Sequence, residues 1–107
     1  MRSITGGAIF LSCLLATLPA LGQQADGANG RALSERYCAS CHLIGADQPG
    51  PATDGVPTFR AMANDPAMNE ARLKGFMKLP HPLMPDLSLT RREIDDIAAY
   101  IAGMKAR

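Results

Sequence analysis

The sequence predicts a small all-α domain, and three observations lead to this prediction. In the C-terminal segment, apolar residues recur at helical spacing directly after a helix-start signal. Upstream, proline and glycine divide the chain into short segments that fit helices and turns, without the alternation typical of strands. Without its N-terminal 22 residues, which are discussed next, the chain has 85 residues, enough for one domain and too few for two.

Residues 1–22 predict a secretory signal peptide. Arg2 precedes an uncharged stretch whose apolar centre runs from Ala8 to Leu18, and small residues up to Gly22 provide a cleavage site. An uncleaved membrane anchor is the alternative, because the uncharged run approaches the about 20 residues that span a bilayer. Glycine and proline within the run disfavour an anchor, so we expect an exported mature domain at residues 23–107.

The first helix of this domain is predicted to follow a cap at Asp26 or Asn29 and to run from Gly30 to Tyr37. Its apolar residues share one face at helical spacing: Ala32, Leu33 and Tyr37. Residues 44–57 are rich in glycine, proline and aspartate, so they predict a loop.

Two short helices are predicted in the middle of the chain. One begins near Pro57 and stops before Asp65, which a proline follows. The other begins at Asn69 or the next residue and ends near Lys78. Three prolines then exclude a helix across residues 79–86.

The last helix has the clearest signals. Thr90 and Glu93 form a capping box, and Leu89 and Ile94 are placed as a hydrophobic staple. An apolar stripe recurs at helical spacing and predicts the buried face: Ile94, Ile97, Ala98, Ile101 and Met104. Three charged residues are predicted on the solvent face: Asp95, Asp96 and Lys105.

The segment Cys38-Ala39-Ser40-Cys41-His42 indicates a chemistry. Two cysteines separated by two residues and followed by histidine are typical of a c-type haem attachment site. This spacing lets one helical turn present both sulfurs to one edge of the macrocycle, and the next residue then directs its imidazole at the iron. We therefore predict that Cys38 and Cys41 attach one haem and that His42 is an iron ligand.

A dithiol redox motif and half of a zinc site are the alternatives for the same residues. A zinc site needs four ligands, but only His81 and carboxylates remain to complete it, since Cys13 lies in the predicted signal peptide. A thioredoxin-like motif would lie among alternating strands and helices, which the sequence does not show. We favour haem and keep a haem-free dithiol oxidoreductase as the alternative.

Charge and size fit a small exported domain. Residues 23–107 contain ten Lys plus Arg and ten Asp plus Glu, and this neutral balance argues against a nucleic-acid partner. A chain this short buries a thin core of its own, so an apolar haem would complete the core.

The chain resembles the class I cytochromes c over residues 27–107. The matching features are Gly30 in the helix that leads into the Cys38–His42 motif, Gly50-Pro51, Leu83-Met84-Pro85, and Ala98-Ala99-Tyr100-Ile101 in the last helix. The resemblance implies a small cytochrome c fold of three to five helices wrapped around one covalently bound haem. It also implies that the first and last helices cross near Gly30 and Tyr100.

Met84 is the predicted second iron ligand. It lies 42 residues after His42 on a proline-bounded, non-helical segment, and prolines reduce the entropy lost in fixing a weak thioether ligand. A buried apolar role is the alternative, as we expect for other methionines of the chain. His81 is a rival ligand, although we expect it at the surface near the haem edge, where it could make the reduction potential vary with pH.

The resemblance further implies that the backbone carbonyl of Pro51 accepts a hydrogen bond from His42 Nδ1 and fixes the imidazole ring. The chain has no Trp, which in some family members helps to bind a haem propionate. Arg60, Tyr37 or a backbone group would have to replace it.

Iron with both axial positions filled favours electron transfer over catalysis. We therefore predict that the protein is not an enzyme but a periplasmic one-electron carrier between a dehydrogenase or respiratory complex and an acceptor. Redox partner proteins are expected to dock transiently at the haem edge, with no membrane contact after signal cleavage. A haem protein with an open sixth position, binding ligands or acting like a peroxidase, is a further alternative.

Overall fold

The structure is a computed structural model that describes residues 24–48, 53–79 and 81–106. Within these residues it contains four helices: α1 (Gly27–Tyr37), α2 (Phe59–Asn64), α3 (Glu70–Lys78) and α4 (Arg91–Ala102). The all-α prediction is confirmed, whereas the predicted signal peptide and Gly50-Pro51 lie outside the described residues. No helix in the described ranges is long and apolar enough to cross a bilayer.

Each helix begins at a polar side chain that accepts hydrogen bonds from the first turn: Asp26, Thr58, Asn69 and Thr90. Such caps satisfy backbone N–H groups that have no partner within the helix. The capping box of Thr90 and Glu93 is formed as predicted. At α1 the cap is Asp26, so the helix starts three residues before Gly30.

Helix α4 packs against the other three helices and comes closest to α1. A methyl group at Gly30 would stand 1.9 Å from the backbone oxygen of Asp96, so a side chain at this position would push the helices apart. The predicted crossing at Gly30 is confirmed. Tyr100 lies farther along the crossing, where its Cα would be 3.8 Å from a methyl group placed on Gly27.

The predicted solvent exposure of Asp96 is wrong. Its side chain is 0% exposed, Oδ1 accepts from the backbone N–H of Asp26 at 2.7 Å, and Oδ2 accepts from Asn29 Nδ2 at 2.8 Å. The donors are the backbone N–H of the cap residue Asp26 and the side-chain amide of Asn29 in the first turn of α1, and α4 supplies the carboxylate near this N-terminus. The helical pattern of α4 alone could not show that the start of α1 lies beside Asp96.

The core consists of one cluster of buried side chains: Cys38, Ile44, Phe59, Leu73, Ile97, Ala98 and Ile101. Ala32 is exposed, whereas the other two residues of its predicted apolar face, Leu33 and Tyr37, are half-buried. The fully buried positions of that helix are Gly30 and Ser34, whose small side chains allow α4 to approach. Close approach of two backbones therefore decides which face of α1 is inside.

Candidate functional site

The Cys38–His42 motif continues directly from the end of α1. The backbone N–H of Cys38 donates to Ser34 O at 2.9 Å, and the N–H groups of Cys41 and His42 donate to Cys38 O at 3.1 and 2.9 Å. These bonds extend the helical winding by one turn. The structure therefore brings Cys38, Cys41 and His42 together on one turn, as the spacing predicts.

The two cysteines of this turn differ in their surroundings. Cys38 is 7% exposed within the core cluster, whereas Cys41 is exposed. Burial raises the pKa of the Cys38 thiol to about 11, against a smaller lowering by its hydrogen bond with Ser34. Cys38 therefore lacks the lowered pKa that is typical of a reactive thiol.

The imidazole of His42 is held by the chain segment that leads into α2. Nδ1 lies 2.7 Å from the backbone carbonyl of Pro57. A carbonyl oxygen can only accept, so Nδ1 carries the proton and Nε2 keeps the lone pair that a metal requires. The ring also rests against Phe59, with centroids 5.7 Å apart and planes tilted by 49°.

The resemblance implies Pro51 as the partner of His42, but the carbonyl that Nδ1 contacts is that of Pro57, so this assignment is wrong. Pro51 itself lies outside the described residues. The loop returns to its start at Pro57, since the N–H of Phe59 donates to Leu43 O at 3.0 Å. A proline directly before the Thr58 cap was the available signal, but it predicted only the start of α2.

Met84 lies on a separate turn after α3. Its N–H is 3.3 Å from His81 O, and the turn between them contains Pro82 and Leu83. Leu83 has φ +75°, the value that the third position of a type II turn requires, and Pro82 supplies the fixed φ of the second position. The predicted proline-bounded, non-helical setting of Met84 is therefore observed, and the side chain is half-buried.

His81 occupies the first position of the same turn. Its ring contacts Phe76 edge-on at 5.3 Å between centroids, and Nδ1 lies 3.3 Å from Leu79 O. These contacts place the half-buried imidazole against the end of α3.

Comparison with known proteins identifies the family. The family model described as cytochrome c oxidase, cbb3-type, subunit III matches residues 25–101. Cytochrome c-552 of Bradyrhizobium diazoefficiens is 41% identical over 81 residues, which cover 76% of this chain and 77% of that protein. The chain belongs to the class I c-type cytochromes. No solved structure matches this cytochrome significantly.

As a member of this family, the cytochrome carries one covalently bound haem c and functions as an electron carrier rather than an enzyme. The predicted family, fold class and cofactor are confirmed, and the haem-free dithiol alternative is excluded. The described residues fit the cofactor, because one turn presents two cysteines and an imidazole whose Nδ1 is already engaged.

Proposed function

We propose that this cytochrome is an exported, periplasmic one-electron carrier with His42 and Met84 as axial ligands. Cys38 and Cys41 would hold the haem through thioether bonds. The observation that carries the proposal is the hydrogen bond from His42 Nδ1 to Pro57 O, because it fixes the tautomer in which Nε2 keeps the lone pair that would bind the iron.

When bound, haem c supplies an iron centre that gains and loses one electron. The residues around it would keep that centre closed to substrates. His42 is immobilised by Pro57 and Phe59, and Met84 is presented by a turn whose backbone a proline restrains. A thioether is a weak donor to ferric iron, so Met84 would raise the reduction potential.

Export and partner docking complete the proposal. The apolar N-terminal stretch and Arg2 support secretion through residues 1–22. A near-neutral mature domain supports brief encounters with redox partners at the haem edge rather than one strongly charged partner. Mass analysis of the holoprotein purified from the periplasmic and the membrane fractions tests the cleavage site. A retained N-terminus would contradict it and support the membrane anchor.

Ligation is tested by optical spectra of the full chain, expressed with cytochrome maturation machinery. We expect a low-spin haem with the weak red charge-transfer band of sulfur-ligated ferric iron, and no change in the ferrous spectrum with carbon monoxide. Met84→Ala should lose the band and bind carbon monoxide. Met77→Leu, on α3, is the matched control and should retain the wild-type spectrum, as should His81→Ala.

Two results would contradict the ligand assignment. Survival of the charge-transfer band in Met84→Ala would show that another sulfur binds the iron. Ready binding of carbon monoxide by the wild-type protein would favour the open sixth position instead.

A further inference from the structure

We propose that Gln48 is a positioning residue for His42. The side-chain amide of Gln48, which lies outside the Cys38–His42 motif, hydrogen-bonds to the backbone of the haem-attachment turn. The inference rests on the proposed role of His42 as an iron ligand. It adds a residue that neither the motif nor the family comparison assigns, and it concerns the backbone of the ligand rather than its ring.

The amide of Gln48 makes three hydrogen bonds. Nε2 donates to Ala39 O at 2.8 Å and to His42 O at 3.0 Å, and Oε1 accepts from the N–H of Ile44 at 2.8 Å. A primary amide has two N–H donors, and here both are used. The orientation of the amide is determined by its partners, because both carbonyls must accept and the Ile44 N–H must donate.

These bonds provide partners for backbone groups at the C-terminal end of the turn. The last carbonyls of a helical segment have no N–H partner within it, so they need water or a side chain. Gln48 supplies donors to two of them, one within the motif and one on the ligand itself. The third bond extends the restraint to Ile44, whose carbonyl accepts from Tyr100 Oη at 2.8 Å. The backbone from Ala39 to Ile44 is therefore tied to Gln48 and, through Tyr100, to α4.

Two of the hydrogen bonds of His42 act on different parts of the residue. Pro57 fixes the ring through Nδ1, and Gln48 fixes the backbone that carries the ring. Without the Gln48 bonds, the carbonyl side of His42 loses its hydrogen-bond donor, and only the N–H bond to Cys38 O still holds this part of the backbone. The Cα can then shift while Nδ1 keeps its partner, and the ring plane turns. Loss of the Gln48 bonds should therefore change the ring orientation without removing the ligand.

The experiment uses the ferric holoprotein and the paramagnetically shifted NMR resonances of the haem methyl groups, which report the orientation of the axial imidazole. Gln48→Met keeps the length of the side chain and removes all three hydrogen bonds. Gln24→Met is the matched control, because Gln24 is exposed near the start of the described chain. We expect Gln48→Met to change the methyl pattern and the midpoint potential, and Gln24→Met to keep both.

If Gln48→Met folds poorly, a second variant and a measurement on the wild-type protein still test the inference. Gln48→Glu keeps the acceptor for Ile44 but places an oxygen against two carbonyls, and Ala46→Glu adds the same charge at an exposed position nearby. We expect an altered methyl pattern in the first and the wild-type pattern in the second. In the ferrous wild-type protein, the Gln48 amide protons should exchange slowly and show nuclear Overhauser contacts to Ala39 and His42.

Wild-type methyl patterns in both Gln48 variants would overturn the inference, as would rapid exchange of the Gln48 amide protons. A wild-type spectrum without a histidine-bound haem would instead refute the proposed function, so the two failures are distinguishable.

Discussion

The buried carboxylate of Asp96 is expected to be a main determinant of the α1–α4 contact. Its two oxygens accept from Asp26 N at 2.7 Å and from Asn29 Nδ2 at 2.8 Å, and none of its surface is exposed. Asp96→Asn keeps the shape and one acceptor oxygen but turns an amide donor toward one of these donors. A hydrogen bond to a charged group contributes about 1.5–3 kcal/mol, and an unpaired buried donor adds a further penalty. We expect a loss of about 3 kcal/mol in the free energy of unfolding.

The effect should depend on pH. The backbone N–H of Asp26, followed by the amide of Asn29, lowers the pKa of the Asp96 carboxyl, and desolvation opposes this. Because the folded pKa lies below the unfolded value of about 3.9, the stabilisation is complete above that value and is lost as pH falls through the folded pKa. The difference between wild type and Asp96→Asn should therefore shrink in acid.

Urea unfolding of the holoproteins, followed by far-ultraviolet circular dichroism at neutral and acidic pH, measures both effects. Asp95→Asn is the control on the same helix, because Asp95 is partly exposed and pairs with Lys74 at 3.0 Å. Exposed ion pairs contribute about 0–1 kcal/mol, so this variant should remain close to wild type. Equal losses in the two variants, or a loss in Asp96→Asn that does not decline in acid, would refute the reasoning.

Three further substitutions, two of them paired with a control variant, test the packing around α4 by urea unfolding of the holoprotein. Gly30→Ala places a methyl group 1.9 Å from a backbone oxygen of α4 and should cost about 3 kcal/mol or more. The control is Gly75→Ala on α3, whose added methyl group meets nothing within 4 Å and should be neutral or stabilise by up to about 1 kcal/mol. Similar losses in the two alanine variants would argue against the close crossing of α1 and α4. Thr90→Ala removes the cap of α4 and should cost about 1 kcal/mol, which Thr90→Ser should largely avoid. Tyr100→Phe leaves the carbonyl of buried Ile44 without its 2.8 Å donor and should cost about 1–2 kcal/mol, and unchanged stability would show that another donor replaces the hydroxyl.

The helices could be predicted from the sequence because their boundaries depend on local chemistry. Thr90 and Asn69 are capping residues whose side chains act within the first turn, so the starts of α4 and α3 follow from neighbouring residues alone. The Cys38–His42 motif is equally local, since a single turn gathers its three functional groups. For α1 the sequence allows two cap residues, Asp26 and Asn29. The cap in the structure is Asp26, whose N–H also donates to Asp96.

The remaining features depend on contacts between distant segments. Pro57 and Pro51 are both loop prolines after His42, and only the return of the chain at Leu43 decides which carbonyl reaches the ring. Gln48 lies in a polar loop, where no periodic pattern distinguishes a structural glutamine from a solvated one. The burial of Asp96 could not be predicted for the same reason, because its partners are 70 and 67 residues away in sequence.

The segments that carry the two proposed ligands are held by different contacts. Through Asp96 this helix holds the start of α1, and through Tyr100 it holds the loop that follows His42, so both ends of the attachment segment depend on one helix. The turn that carries Met84 begins beyond the end of α3. It is held by the bond between Met84 and His81 and by the contacts of the His81 ring with Phe76 and Leu79 O. Opening that turn breaks none of the contacts that hold His42. We therefore expect rising temperature to remove the sulfur charge-transfer band before the helical circular dichroism is lost, and coincident transitions would show that the two ligand segments unfold as one unit.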